Sequence, residues 1–164
     1  MYKITLIAAI SNNFVIGKNN ELLWHLPKDF LWFKEKTKGF DVVMGRKTME
    51  NIMTFTKGNP LPFRNNIVLS QQLKEQDGFT ILKNYQDILN LSQEKEIMII
   101  GGEQIYKLFL PFANKLILTQ INHEFSGDAF FPQFDKGKYT ITFQQNETEN
   151  NLNYDFVIYE KIDN

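Results

Sequence analysis

Short apolar segments alternate along this chain with segments that begin and end like helices. Residues 4–10 form a continuous apolar run, and 40–44, 96–100 and 115–121 are also dominated by aliphatic residues. Continuous runs of this kind are typical of strands buried on both faces of a parallel sheet, because helices cover both sides of such a sheet. The alternation therefore predicts an α/β fold.

The remaining segments predict how the sheet is completed. Pro27 opens a helix that runs to about Lys38 and ends before Gly39. At the C-terminus, residues 139–145 and 153–162 alternate with period two around a polar loop at 146–152, which predicts an antiparallel edge hairpin. The length predicts one domain, 1–164. The other predicted elements are helices at 46 or 47 to 53, 85–92 and 103–110, strands at 66–69 and 79–82, and loops at 11–26 and 54–65.

Composition argues against several classes of function. The chain has no cysteine, which removes disulfides, thiolate nucleophiles and zinc ribbons, and its two histidines are far apart, so we expect no metal site. A net charge of −1 argues against nucleic-acid and anionic-membrane binding. No apolar run approaches the ~20 residues that a membrane span needs. No serine lies in a G-x-S-x-G motif, which argues against a serine hydrolase.

Two predicted strands run through glycine into a helix. Gly45 follows the strand at 40–44, and Gly101 with Gly102 follows the strand at 96–100. A helix N-terminus with free backbone N–H groups favours phosphate, and glycine allows close approach. Two such junctions in one small chain could hold the two halves of a dinucleotide, although G-x-G-x-x-G is absent. The basic pair after Gly45 suits an extra ribose phosphate, hence NADP(H), or is simply solvated.

One acid interrupts the strongly apolar segment at 22–33. Asp29 follows Pro27 closely, so it either complements the helix dipole or is a desolvated carboxyl group that faces an aromatic pocket. Positions 26, 29, 30 and 33 share one helical face, which combines this acid with Phe30 and Phe33. That face suits a flat heteroaromatic ligand with ring N–H groups.

Seven motifs in order and spacing resemble those of the bacterial dihydrofolate reductases, over almost the whole chain. They are LIAA at 6–9, VIG at 15–17, LWHLPKD at 23–29, MGRKT at 44–48, LP with Arg64 at 61–64, IGG at 100–102 and GDAFFP at 127–132. The resemblance implies a central eight-stranded, mostly parallel sheet with an antiparallel C-terminal edge hairpin and about four helices. It also implies a cis peptide bond between Gly101 and Gly102.

The resemblance further implies NADPH-dependent reduction of 7,8-dihydrofolate to 5,6,7,8-tetrahydrofolate by hydride transfer to the pterin. The chain would be a cytoplasmic monomer that supplies one-carbon metabolism and also binds antifolate inhibitors. Asp29 would promote pterin protonation through a water that Trp24 helps to position. Thr119 would bond to Asp29, and Leu22 would cover the site from the loop at 11–26.

The implied ligand sites divide the remaining residues into two sets. Arg64 would grip the α-carboxylate of the glutamate tail, and Arg46 with Ser70 would hold the cofactor's 2′-phosphate. The substrate set is Ile7, Ala8, Asp29, Phe30, Phe33, Lys34, Ile52, Leu61, Arg64, Ile100 and Thr119. The cofactor set is Ala9, Ile16, Gly17, Gly45, Arg46, Lys47, Thr48, Leu69, Ser70, Gln71, Lys83, Ile100, Gly101, Gly102, Glu103, Gln104, Ile105 and Tyr106.

Two alternatives stay open at this point. One is a same-fold NADPH-dependent pyrimidine reductase of the riboflavin pathway, against which Arg64 argues because that substrate has no glutamate tail. The other is a non-catalytic protein that binds folate or a nucleotide. The chain also departs from the family pattern in Met49, Asn51, Glu103 and Gln104, and in a longer link at 53–59.

Overall fold

A single eight-stranded sheet organises the molecule, with helices on both of its faces. The computed structural model describes residues 1–19 and 23–163. Its strands are β1 (Ile4–Ser11), β2 (Val15–Gly17), β3 (Asp41–Met44), β4 (Asn65–Leu69), β5 (Thr80–Leu82), β6 (Ile97–Gly101), β7 (Lys115–Ile121), β8 (Ala129–Phe130), β9 (Tyr139–Glu149) and β10 (Leu152–Lys161). The helices of the described residues are α1 (Pro27–Thr37), α2 (Arg46–Phe55), α3 (Tyr85–Glu94) and α4 (Glu103–Phe109), with 3₁₀ turns at Leu110–Phe112 and Lys136–Lys138.

The strand order is β5-β4-β3-β6-β1-β7-β10-β9. The first six strands in this order are mutually parallel, and β10 is antiparallel to both β7 and β9. The prediction of an eight-stranded, mostly parallel sheet with an antiparallel C-terminal hairpin is confirmed. The central position of β1 explains its continuous apolar sequence, because neighbouring strands and helices leave it no solvent-facing side.

The alternation of side chains along β1 divides the apolar core between the two faces of the sheet. Ile4 and Leu6 belong to the cluster that holds Ile88 of α3 and Phe109 of α4. Ile7 belongs to the opposite cluster, which contains residues of α2 and is packed against by residues of α1. The expected placement of helices on both faces is therefore correct.

The loop expected at 11–26 is wrong in one part, because β2 lies inside it. β2 pairs antiparallel with β8, which the sequence pattern also did not predict, and the two form a separate small sheet. The nearby Gly127 accommodates this sheet, since a Cβ at that position would overlap Val15 and the carbonyl of Gly17. Strands of two and three residues are too short to produce a readable alternation in sequence.

The polar loop expected at 146–152 is also wrong. β9 continues to Glu149 and β10 begins at Leu152, so the connection is a two-residue turn. Asn150 and Asn151 have φ angles of 51° and 63°, the left-handed conformation that a type I′ hairpin turn requires and that asparagine tolerates. The polar composition of this segment reflects an exposed edge strand rather than a loop.

The longer link at 53–59 forms the end of α2. The helix extends to Phe55, beyond the expected end at 53, and Lys57 then adopts a left-handed φ of 58°. The amide of Gly58 donates to the carbonyl of Met53 at 2.9 Å, which is the Schellman pattern that closes a helix C-terminus. Part of the additional sequence is therefore used to cap the helix.

We expect Phe109→Ala to lower the free energy of unfolding by about 3–5 kcal/mol, because truncating a buried Phe leaves a cavity. Phe109 is 0% exposed within the cluster on the α3 and α4 face. Urea denaturation would measure the change. The control is Leu31→Ala, at a position 64% exposed, which should alter stability by less than about 0.5 kcal/mol. Equal losses in the two variants would contradict this account of the core.

Candidate active site

The two glycine junctions lie side by side. β3 and β6 are neighbouring parallel strands, and the amide of Gly45 donates to the carbonyl of Gly101 at 2.9 Å. Gly45 is the N-cap of α2 and Gly102 is the N-cap of α4, and neither helix has a side-chain cap. Two adjacent helix N-termini therefore present backbone N–H groups at the carboxyl edge of the sheet, an arrangement that favours phosphate groups.

The backbone at these junctions has little room for side chains. A Cβ at Gly45 would lie 3.1 Å from Cγ1 of Ile105, and a Cβ at Gly101, where φ is 133°, would lie 3.3 Å from Oγ1 of Thr48. The peptide bond between Gly101 and Gly102 is cis, as the resemblance implied. At both junctions the main chain is free of side chains, and the hydroxyl of Thr48 lies beside it. This arrangement suits a phosphate group of a dinucleotide.

Tyr106 fastens α4 to the central strand. Its hydroxyl donates to the carbonyl of Ile7 at 2.7 Å, and its ring packs 5.0 Å from that of Phe131. Complete burial raises the pKa of Tyr106, so the hydroxyl remains a neutral donor. This bond fixes the glycine junction relative to β1.

Basic and hydroxyl side chains lie near the start of α2. The guanidinium of Arg46 contacts Glu50, one turn along the helix, at 2.7 Å, while Lys47 is exposed. Ser70 follows β4, and its hydroxyl accepts from the amide of Leu73 at 3.1 Å. Arg46 is thus held by an exposed ion pair that is weak enough to be exchanged for a phosphate.

Glu103 is turned toward the small sheet. Its carboxylate accepts from the amide of Phe130 in β8 at 2.8 Å and lies 4.0 Å from the ammonium of Lys107. The acid beside the glycine junction is therefore occupied by a backbone donor and a neighbouring cation. This contact also links α4 to the sheet formed by β2 and β8.

Other predicted cofactor residues lie around this edge. Ala9 pairs with Thr119 across β1 and β7, and Ile16 and Gly17 lie in β2. Ile100 lies in β6, one residue before the first glycine of the junction. The more distant predicted residues, at the ends of β4 and β5 and on α4, are Leu69, Gln71, Lys83 and Gln104.

Asp29 is tied to the sheet by a short hydrogen bond. The hydroxyl of Thr119 in β7 donates to Oδ1 of Asp29 at 2.6 Å. Burial raises the pKa of Asp29 from 3.8 to about 6, the Thr119 bond opposes that rise, and the charge of Glu149 adds to it. Both protonation states of this carboxyl group are therefore populated near neutral pH, as a group that relays protons requires.

The aromatic residues beside Asp29 form a third packed cluster. Trp24 is 8% exposed and packs 5.2 Å from Phe125, in a cluster with Tyr154 and Phe156. Trp32 stacks on Phe156 at a ring separation of 4.4 Å. The second tryptophan is thus core, and Trp24 is core that adjoins the site. The predicted position of Leu22 lies outside the described residues.

Most of the apolar substrate residues belong to one cluster on the α1 and α2 face. Ile7 and Ile52 are buried in it, and Phe33, Leu61 and Ile100 pack against it. Phe30 is 40% exposed, with its ring 5.6 Å from that of His25. Ala8 packs against the cluster on the opposite face of the sheet. Any contact of Ala8 with a ligand on the α1 and α2 face would therefore involve its main chain.

Three hydrogen bonds fix the side chain of Arg64 beside α1. Nε donates to the hydroxyl of Thr37 at 2.9 Å, one terminal nitrogen donates to the carbonyl of Lys34 at 2.8 Å, and the other donates to the carbonyl of Pro62. A guanidinium has five N–H groups, so two remain for a ligand. Burial lowers the pKa of Arg64, but an arginine stays charged, so the site suits a carboxylate.

One residue near Asp29 gave no signal in the sequence. Glu149 lies at the end of β9, where its carboxylate contacts the amide of Lys28 and the hydroxyl of Tyr154, each at 3.2 Å. It is 120 positions from Asp29, and the polarity of its segment predicts a loop. Only the length of β9 and the turn that follows it, both tertiary features, bring it to this site.

Other site classes find no support in the part of the chain that is described. Residues 1–19 and 23–163 contain no group of three or more acidic or histidine side chains placed to hold a metal ion. Within those same ranges, no helix has the length and hydropathy to cross a membrane.

A parallel α/β sheet with helices on both faces, two glycine junctions, an acid of raised pKa and an arginine fixed by hydrogen bonds is typical of a nucleotide-dependent enzyme. The family model described as dihydrofolate reductase matches residues 3–161. The chain is 46% identical to dihydrofolate reductase of Haemophilus influenzae, over 86% of each chain. It is 41% identical to that of Bacillus subtilis, over 96% of this chain and 94% of the relative.

A solved structure shows the same likeness. Dihydrofolate reductase from Enterococcus faecalis, complexed with NADP(H) and RAB-propyl, is 30% identical and superimposes with a TM-score of 0.87. That comparison covers 99% of this chain and 100% of the other. The chain therefore belongs to the dihydrofolate reductase family.

We expect Asp29→Asn to stabilise the protein at about pH 8 by about 2–3 kcal/mol, because the folded state holds this carboxylate at a cost. The pKa of Asp29 is higher in the fold than in the unfolded chain, so its contribution to stability is largest below pH 3.8 and is lost as the pH rises through about 6. The advantage of the variant should fall to roughly half at about pH 5. Urea denaturation at the two pH values would show whether the gap narrows; a constant gap would contradict the raised pKa.

Proposed function

We propose that Asp29 binds the pterin ring and promotes its protonation in an enzyme that reduces 7,8-dihydrofolate to 5,6,7,8-tetrahydrofolate. The chain is an NADPH-dependent oxidoreductase, and the reaction consumes one NADPH and one proton. The observation that carries the proposal is the part-buried hydrogen bond between Asp29 and Thr119, next to the apolar cluster of the α1 and α2 face. We place the enzyme in the cytoplasm as a monomer built from one domain, 1–164.

The main chain of the two glycine junctions suits the diphosphate of NADPH. Gly45, Gly101 and Gly102 leave the two helix N-termini open for the diphosphate, with Thr48 beside them. Arg46 can exchange Glu50 for the 2′-phosphate, with Lys47 and Ser70 nearby. Bound NADPH supplies the hydride. Tyr106 and Glu103 hold α4 in place through Ile7 and Phe130.

The substrate site fits a flat bicyclic ring with a charged tail. Asp29 would bond to the pyrimidine edge of the pterin, and Thr119 would bond to both Asp29 and the pterin amino group. Ile7, Ile52 and Phe33 supply apolar surface for the ring and its linker, and antifolate inhibitors would use the same surface. Arg64 would bind the α-carboxylate with its two remaining N–H groups.

Protonation of the pterin depends on the state of Asp29. Because the pKa of Asp29 is about 6, the carboxyl group can exchange a proton with solvent near neutrality. We assign proton delivery to a water beside Trp24, since the carboxyl group would be engaged with the pyrimidine edge. This enzyme would supply reduced folate to one-carbon metabolism.

The test is the loss of NADPH absorbance with and without dihydrofolate, repeated with NADH. We expect loss that requires dihydrofolate and prefers NADPH. In Asp29→Asn, turnover at neutral pH should fall by about 10²–10⁴-fold, with partial recovery at low pH, because the proton relay is removed. NADPH binding, followed by fluorescence, should be retained.

The control is Asp87→Asn, because Asp87 also lies in the first turn of a helix but is exposed. This variant should turn over normally, which separates a role in the site from a general effect on the helix dipole. Full activity of Asp29→Asn across the pH range would refute the role of Asp29. Tight NADPH binding without any turnover in the unmodified protein would instead indicate a binding protein.

For Arg64→Lys we expect the KM for dihydrofolate to rise about 10–100-fold, because lysine cannot keep both the fixed hydrogen bonds and a bidentate grip on the carboxylate. The comparison substrate is 6-methyl-7,8-dihydropterin, which has no glutamate tail and should be reduced equally by both proteins. Steady-state kinetics on the two substrates would decide. An equal loss on both would mean that Arg64 is structural and that no glutamate tail is bound there.

A further inference from the structure

The tip of the β9–β10 hairpin reaches across the molecule to the start of α1. Glu149 accepts from the backbone amide of Lys28 at 3.2 Å, over a separation of 121 positions. Glu147 accepts from the Lys28 ammonium at 3.0 Å, and the side-chain amide of Asn150 donates to the carbonyl of His25 at 2.7 Å. Three contacts therefore hold the segment of chain that leads into α1 and carries Asp29.

Helix α1 needs this support because it has no cap of its own. Its N-cap is Leu26, which has no polar side chain, and Pro27 has no amide hydrogen. The amide of Asp29 is satisfied locally by the carbonyl of Leu26 at 2.9 Å. The amide of Lys28 is left for Glu149, whose negative charge also suits a helix N-terminus.

The same carboxylate lies in the electrostatic environment of Asp29. The hydroxyl of Tyr154, which is 0% exposed, donates to Glu149 at 3.2 Å, so the acid is anchored in the cluster that borders Asp29. After burial, the charge of Glu149 is the further cause that raises the pKa of Asp29. A nearby negative charge disfavours the ionised form of a partly buried carboxyl group.

We propose that Glu149 is a positioning residue for Asp29, acting on it through the first turn of α1 and through its own charge. The inference rests on the proposed role of Asp29 in the reaction. Within the described residues, the titratable groups that face this region are Lys28 on α1, Glu147 and Glu149 on β9, and Tyr154 on β10, while β7 contributes the neutral Thr119. Lys28 is engaged with Glu147, and burial with the surrounding carboxylates raises the pKa of Tyr154, which leaves Glu149 as the charge that acts on Asp29.

Glu149→Gln separates the two effects, because glutamine keeps an acceptor for Lys28 and Tyr154 but has no charge. The pKa of the Asp29 carboxyl group, followed by carbon-13 NMR in the ligand-free protein, should fall by roughly half a unit to one unit. The rate of hydride transfer in single turnovers should fall roughly 3–10-fold at about pH 8 and by less than about twofold at about pH 5, because Asp29 stays largely protonated there. An unchanged Asp29 titration would overturn the proposal.

Glu149→Ala removes the acceptor as well as the charge. We expect this variant to show the same downward pKa shift and, in addition, a several-fold higher KM for dihydrofolate, because the first turn of α1 loses its anchor. Glu149→Gln should therefore keep the normal KM for dihydrofolate but still show the lowered pKa of Asp29. If glutamine and alanine raise the KM equally, the hydrogen bond to Lys28 does not position Asp29, and that half of the proposal is refuted.

Glu160→Gln, at an exposed glutamate of β10, is the control for loss of a negative charge from the hairpin and should leave the titration of Asp29 where it is. In an Asp29→Asn background, Glu149→Gln should cause no further change in the pH profile. Failure of the Asp29 role would appear as full activity of Asp29→Asn at every pH. Failure of the present inference would appear as an unshifted Asp29 carboxyl signal in Glu149→Gln, which is a separate result.

Discussion

The parallel pairing of β1 with both β6 and β7 decides where the functional groups of this enzyme lie. Because these strands run in the same direction, the end of β6 at Gly101 and the distal half of β7 at Thr119 fall at one edge of the sheet. Because β3 pairs with β6, Gly45 also lies at this end of the sheet, where the carboxyl ends of the parallel strands meet. The hydrogen bond from Thr119 to Asp29 ties the start of α1 to the same end of the sheet. The site is thus a consequence of strand direction before any side-chain chemistry is considered.

The features that sequence predicted correctly are local or topological. A continuous apolar run identifies a doubly buried strand without reference to its partners, and a glycine between such a run and a helix identifies a possible phosphate site. The prediction failed where tertiary contacts decide. β9 is polar because it is an exposed edge, so its last four residues resembled a loop. A single acid such as Glu149 does not stand out in so polar a segment. Asp29 does stand out, because the residues around it are apolar.

The site combines two opposed electrostatic requirements. In the proposed function the glycine junctions attract the phosphates of the cofactor, whereas Asp29 exchanges a proton near neutral pH. The first requirement is met by backbone N–H groups with basic side chains nearby, and the second by burial and by the nearby carboxylate of Glu149. The buried carboxyl group lowers stability at high pH, which is the usual relation between a functional acid and the fold that holds it.

The lengths of the two edge strands also affect how copies of this protein meet. β5, at one edge, has three residues, whereas β9, at the other, has eleven, with Ile141 and Phe143 exposed. A long unpaired strand is a template for pairing with another chain, and charges along it discourage such pairing. With a net charge of only −1, the protein has little overall repulsion to keep copies apart. The only charges of β9, on Glu147 and Glu149, lie at its end and are engaged with Lys28 of α1, so the rest of this open edge carries no charge that would oppose pairing with a second copy.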